Sequence, residues 1–165
     1  MPEKYILDAC CGGKHFWFDK NHKYTLFMDK RRVEKGAIPQ QPNWKCDPDI
    51  IGDYRHTDFD DKSFKLIVWD IPHKIKNYKK SLIIKKYGYL GESWREDTAA
   101  GFNELWRILD DYGVLVFKYA DLDISVTEML SLFPVKPLFG TKTKKGVNNT
   151  YWFTFMKIKE EEKNA

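Results

Sequence analysis

The stretch Ile6-Leu7-Asp8-Ala9-Cys10-Cys11-Gly12-Gly13 decides how this chain is read. Its apolar run fits a buried strand, its aspartate closes that strand, and its two glycines break the chain into a turn. About sixty residues on, Leu66-Ile67-Val68-Trp69-Asp70-Ile71-Pro72-His73 repeats the plan of apolar run, aspartate and turn. In an open α/β sheet such breaks fall at the carboxyl ends of strands, where ligands bind. The first turn suits close approach of a cofactor to the backbone. The second gathers an acid, a proline and an aromatic ring, which suits gripping a planar group that bears an amine.

Working outward, strand-like runs recur at 4–9, 24–29, 49–52, 65–70 and 113–119. The central ones are almost uninterrupted apolar runs, as in parallel strands covered on both faces. Phe102, Leu105, Trp106 and Leu109 share one helical face, which predicts a helix over 98–111 stopped at Gly113. A second helix is predicted over 123–133, ended before Pro134. Two runs, 135–142 and 149–157, flank residues 143–148 and read as a hairpin. The connection 31–48, with Pro39, Pro42 and Pro48, reads as a long loop or short irregular helices. Together these predict an α/β, Rossmann-like three-layer sandwich, with a mostly parallel sheet and a C-terminal antiparallel hairpin. One domain, 1–158, and a charged C-terminal tail, 159–165, are expected.

A charged fraction of 32%, with no run near the ~20 apolar residues of a membrane span, argues against a membrane protein. The N-terminus enters a strand-like run at once, which predicts no export leader and a cytoplasmic location. Cys10, Cys11 and Cys46 are an odd set with two adjacent members, a poor disulfide framework, and read as reduced thiols. Zinc on Cys10, Cys11, His15 and Cys46 does not fit the usual ligand spacing, so no metal is expected. Net charge is only +4, but Lys74, Lys76, Lys79, Lys80, Lys85 and Lys86 follow the second motif closely, with Tyr78, Tyr87 and Tyr89 among them. Lys142, Lys144 and Lys145 form another cluster near the hairpin tip. Basic patches with aromatics suit a phosphate backbone with stacked bases; a solvated lysine-rich surface is the plain alternative.

The acids extend the pattern. Asp29 closes the second strand, twenty-one residues after Asp8, where a carboxylate can accept hydrogen bonds from both hydroxyls of a ribose. Asp53 follows the third strand on the same sheet edge, placed to accept from an adenine amino group. The glycine turn itself is not G-x-G-x-x-G and has no evident phosphate-binding helix after it.

With Asp8/Gly12/Gly13, Asp29 and Asp53 in this order, the chain resembles the class I S-adenosylmethionine-dependent methyltransferases over about residues 4–157. More narrowly, it is similar to small phage- or prophage-type methyltransferases with an Asp-Pro-Pro-His-like box and a late aromatic hairpin. The resemblance implies S-adenosyl-L-methionine as cofactor, held by Asp8, Ala9, Cys10, Gly12, Asp29, Asp53 and Asp70. Asp70-Ile71-Pro72-His73 resembles the box of enzymes that methylate exocyclic amino groups of adenine or cytosine, adenine in DNA being favoured.

The chemistry accounts for these residues. An exocyclic amine is a poor nucleophile because its lone pair is delocalised into the ring. Asp70 can accept one N–H and the carbonyl of Ile71 the other, which turns the lone pair toward the methyl group. Pro72 stiffens the turn, and His73 can stack on the base. Two departures stand out: Ile71 replaces the first proline, and histidine replaces the usual larger aromatic. Lys118, ending the fifth strand, could orient substrate or resemble the catalytic lysine of ribose methyltransferases, a minor option because their fuller Lys-Asp-Lys-Glu set cannot be assembled here. With little room for a recognition domain, substrate contact is expected from 74–94 and 142–149, through Lys79, Lys80, Tyr87, Lys144 and Lys145, or from a second copy or partner subunit. A duplex substrate would need its base flipped out. Methylation of a small molecule or protein, and a non-catalytic accessory role, remain open at this point.

Overall fold

A computed structural model describes residues 3–141 and 149–159. Lys144 and Lys145, the hairpin tip and residues 160–165 of the charged tail lie outside the described residues. The parallel strands are β1 (Ile6–Asp8), β2 (Thr25–Asp29), β3 (Ile50–Ile51), β4 (Phe64–Asp70) and β5 (Leu109–Asp121). Two antiparallel strands, β6 (Phe139–Gly140) and β7 (Asn149–Met156), complete a 7-stranded sheet ordered β3-β2-β1-β4-β5-β7-β6. The expected mostly parallel sheet with its C-terminal antiparallel hairpin is therefore present. The chain works outward through β2 and β3, then crosses back to lay β4 on the other side of β1. That reversal opens a crevice between the carboxyl ends of β1 and β4, the place where open α/β sheets bind ligands.

Alternation along the strands divides the sheet into two unlike faces. Ile67 and Trp69 of β4, with Leu115, Phe117 and Tyr119 of β5, are fully buried on one face. Against it pack α2 (Trp94–Ile108) and α3 (Val126–Ser131), and Phe102 stacks on Phe133 at 4.4 Å. Gly101 permits this approach: a Cβ there would stand 2.6 Å from the Tyr54 ring and 3.0 Å from Trp69. The other face carries Asp8, Phe27, Val68, Asp70 and Lys118. Here the chain between β1 and β2 is the cover, with Trp17 edge-on to Phe27 at 5.0 Å. No helix of the described residues is long and apolar enough to cross a membrane.

Several boundaries differ from those expected. The helix over 98–111 begins earlier, at Trp94, and stops at Ile108. Leu109 already pairs with Phe64, and a bulge with Tyr112 at φ 60° absorbs the slack before Val114 pairs with Leu66. Gly113 thus lies inside β5 beside the bulge, where a Cβ would stand 2.8 Å from the Asp110 carbonyl oxygen, and is not the helix stop. The helix over 123–133 is shorter, Val126–Ser131, because Ser125 caps it, its Oγ accepting from Glu128 N at 3.2 Å. Of the expected run 135–142, the structure describes 135–141, and there only Phe139–Gly140 is strand, since Pro134 and Pro137 lack the N–H a ladder needs. The connection 31–48 is irregular as expected, tied by a Val33–Cys46 bridge around a small cluster of Ile38, Trp44 and Cys46. A six-residue helix, α1 (Leu82–Tyr87), arises within the lysine-rich segment.

Candidate active site

The glycine turn is built from two different demands. Gly12 sits at φ 48°, where a side chain is strained, and donates its N–H to Asp29 Oδ2 at 2.9 Å. Gly13 is required by space: a Cβ would lie 2.6 Å from Trp44 Nε1 and 2.8 Å from His15 Nε2. Those two side chains are themselves joined, Trp44 Nε1 donating to His15 Nε2 at 2.9 Å. Burial, then the nearby acids Asp29, Asp70 and Asp8, push the Cys10 thiol well above its usual range; the adjoining Cys46 side chain, then burial, Asp8 and Asp29, push up Cys11.

The carboxyl ends of β1, β2 and β4 bring Asp8, Asp29 and Asp70 together, but in unlike settings. Asp8 is fully buried and accepts from Trp17 Nε1 at 2.7 Å and from Cys10 N at 3.3 Å. It lines neither main cavity and braces the turn from beneath; burial pushes its carboxyl up to about 7. Asp29 accepts from the main-chain N–H groups of Gly12 and Arg31, and lines both cavities. Asp53 lies at the rim of the second cavity, where Arg55 grips both of its oxygens at 2.5 to 3.0 Å. That hydrogen bonding holds the Asp53 carboxyl below its usual range.

The two cavities, about 370 and 410 Å³, meet at Cys10, Asp29, Arg31 and Tyr87. Ala9, Asp53, Tyr54 and Pro72 belong to the larger one. Gly12, Gly13, Asp70, Ile71, His73 and Lys118 belong to the smaller. Residues 74–91 close over both. Leu90 and Gly91 donate to the carbonyls of Lys74 and Ile75, and Arg31 donates to the carbonyl of Lys86 at 2.8 Å. Tyr87 is thereby held against the turn, whereas Lys79 and Lys80 are exposed and line neither cavity. Of the substrate residues expected from sequence, the described ones therefore separate: Tyr87 lines the cavities, and Lys79 and Lys80 do not.

The second motif ends β4 at the floor of the smaller cavity. Asp70 pairs in register with Lys118 of β5, and Nζ donates to Oδ2 at 2.7 Å. Oδ1 is shielded from solvent and has no hydrogen-bond partner among the described residues; His73 Nε2 stands 3.4 Å away, outside hydrogen-bond geometry. Burial raises the Asp70 carboxyl, and Lys118 opposes that shift. His73 is pushed down to about 4 by burial and then by Lys118, so its ring is neutral at pH 7. Its ring packs edge-on against Tyr119 at 5.4 Å, and Nδ1 accepts from Ala120 N at 3.4 Å. Ile71 is 1% exposed and its side chain belongs to the core, so the departure from proline there serves packing.

Sequence reasoning missed Arg31, Tyr54, Arg55 and Phe16. Arg31 and Arg55 each stand two residues after a strand-end acid, a local signal that was legible. It also missed that Cys11, Cys46 and Asp29 place two thiols and a carboxylate oxygen within 4.8 Å of one another. That group has donors a thiophilic cation takes, although both Asp29 oxygens already accept main-chain N–H groups.

No protein-family model and no curated protein sequence matches this chain. Solved structures do resemble it. The PH0226 protein of Pyrococcus horikoshii OT3 superimposes with a TM-score of 0.58 at 16% identity, covering 93% of this chain and 81% of that one. A SAM-dependent methyltransferase from Methanosarcina mazei gives 0.55 at 12% identity, covering 97% and 95%. The fold is thus one shared with a SAM-dependent methyltransferase, a mostly parallel Rossmann-like sheet with an antiparallel end.

Proposed function

We propose that this chain is an S-adenosylmethionine-dependent methyltransferase that modifies an exocyclic amino group of a nucleic-acid base, adenine in DNA being favoured. The supporting observation is the Asp70 carboxylate: it ends β4 at the sheet's switch point, lines a cavity, and carries a buried oxygen with no hydrogen-bond partner among the described residues. An unpaired buried acceptor beside a cavity fits a ligand that brings a donor.

The residues present suit the cofactor. Two joined cavities of this size fall within the range of small-molecule sites. Asp29, at their junction, is the ribose acceptor, and the side-chain-free turn at Gly12 and Gly13 admits the amino-acid portion. Ala9, Tyr54 and Pro72 wall the larger cavity for the adenine ring. When bound, S-adenosylmethionine supplies an electrophilic methyl group on a sulfonium.

This chain's part in the transfer is positional. Asp70 and the carbonyl of Ile71 accept the two N–H bonds of the amine and aim its lone pair at the methyl carbon. The methyl carbon would come to that nitrogen from the bound cofactor, the carbon–sulfur electron pair remaining on its sulfur. One amine proton then leaves through the Asp70 carboxylate, whose affinity for protons burial has raised. Residues 74–91 exclude water from the crevice.

Asp70→Ala tests this reading. Methyl transfer to oligonucleotides is expected to fall at least about 100-fold, while affinity for S-adenosylmethionine by calorimetry stays within a few-fold. Equal turnover in wild type and variant removes Asp70 from the chemistry.

A further inference from the structure

We propose that Lys118 is the specificity-determining residue of this site, donating to the ring acceptor next to the target amine, so that the site takes a nucleobase amidine edge and rejects an alkylammonium group. The proposal deepens the reading of a nucleobase amino-methyltransferase and rests on it.

Three observations carry it. First, Asp70 and Lys118 are register partners on neighbouring strands and line the same cavity. Their side chains are 19% and 21% exposed, so an acceptor and a donor stand side by side at the cavity floor. Second, the Lys118 ammonium carries three N–H donors, and among the described residues Asp70 Oδ2 is its only hydrogen-bond acceptor. Third, that ammonium lies 5.8 Å from the ring centroids of both Phe16 and Trp152, which meet edge-to-face at 5.5 Å. Trp152 of β7 is the register partner of Lys118, so Asp70, Lys118 and Trp152 form one row across three strands. Phe16 walls the cavity over this acceptor–donor pair, with Trp152 packed against it, and such a wall suits a flat group whose edge offers N–H beside a ring nitrogen.

Adenine presents its amino group next to N1 on one edge and N7 on the other, and cytosine presents its amino group next to N3. A primary alkylamine offers no acceptor, and at neutral pH it arrives as a cation beside Lys118. A site built to pair with a substrate acceptor rejects analogues that lack it, because the buried donor is then left unpaired.

The test uses the full chain, S-adenosylmethionine, and single-stranded oligonucleotides carrying one adenine, 1-deazaadenine or 7-deazaadenine. Glutamine-, asparagine- and lysine-containing peptides run alongside. Wild type is expected to prefer adenine over one of the two deaza bases by about 10- to 100-fold in kcat/KM. Lys118→Met should erase that preference and Lys118→Arg should retain part of it, with S-adenosylmethionine affinity confirming that each variant is folded. Methylated oligonucleotides with an unchanged preference in Lys118→Met overturn the role of Lys118 and leave the nucleobase reading intact. Methylation of the amide peptides alone overturns the nucleobase reading. Methylation of lysine peptides, or of nothing in the panel, overturns both.

Discussion

Gly12 donates its main-chain N–H to Asp29 Oδ2 at 2.9 Å, so the turn after β1 and the acid ending β2 form one unit. The other Asp29 oxygen accepts from Arg31 N at 3.0 Å. A carboxylate so held is fixed in direction before any ligand arrives, and its remaining lone pairs are those a ribose would meet.

Asp29→Asn should therefore weaken S-adenosylmethionine binding by about 10- to 100-fold, the loss of a hydrogen bond to a charged group, while the amide oxygen still accepts from Gly12. Asp29→Ala should also lose about 1–3 kcal/mol of stability, because buried N–H groups are left unpaired. Calorimetry and denaturant unfolding measure the two effects, and unchanged affinity in both variants removes Asp29 from the cofactor site.

Gly13→Ala should loosen the turn by a different route. The added methyl collides with the Trp44–His15 pair, so the 31–48 loop must shift. In Gly12→Ala the methyl meets only the Tyr87 ring, at an ordinary 3.9 Å, and the strain comes from a φ of 48°. Its cost is about 1–2 kcal/mol. Hydrogen exchange over 31–48 should rise in Gly13→Ala and not in Gly12→Ala.

The pH dependence of stability should carry the mark of Asp8. Its folded carboxyl titrates at about 7 against 3.8 ordinarily, so folding favours the protonated form. Folding takes up a proton between these values, and stability is lost as pH rises through that window. The loss should approach roughly 4 kcal/mol above pH 7. Asp70 is shifted in the same direction, so the comparison needed is wild type against Asp8→Asn, whose difference isolates Asp8. Parallel stability curves for the two would contradict the assignment.

His73 should contribute no inflection to the pH–rate profile. Its ring loses its proton at about 4, so it is neutral over about pH 5.5 to 8.5. His73→Gln is expected to change the height of the kcat profile but not its shape. A limb near pH 6.5 present only in wild type would show that the ring titrates during turnover.

Lys79 and Lys80 are exposed on the segment that closes the crevice. Replacing both with serine should reduce the slope of log affinity against log salt for single strands by about 0.7 for each phosphate that is no longer neutralised. An unmoved slope would make them ordinary surface lysines.

Sequence alone carried the parallel strands and the acids that end them, because an apolar run closed by aspartate is a local signal. Distance hid the rest. The Arg55 clamp on Asp53 is local and was readable, but the closeness of Cys11 and Cys46 depends on how an irregular loop folds back. Helix α1 was hidden by its six-residue length and its two lysines. The end of α2 was misread because Leu109 continues the helical apolar spacing, yet its backbone is already extended to pair with β4. Lys118 was visible as a strand-end lysine, but its pairing with Asp70 required the register of β4 against β5.

The most direct measurement is the position of the label after reaction with methyl-labelled S-adenosylmethionine and a single-stranded oligonucleotide containing one adenine, digested to nucleosides. Label on the exocyclic nitrogen of that adenine, absent with Asp70→Ala, is the predicted result. Label on a ribose oxygen or a ring carbon, or equal labelling with Asp70→Ala, would contradict it.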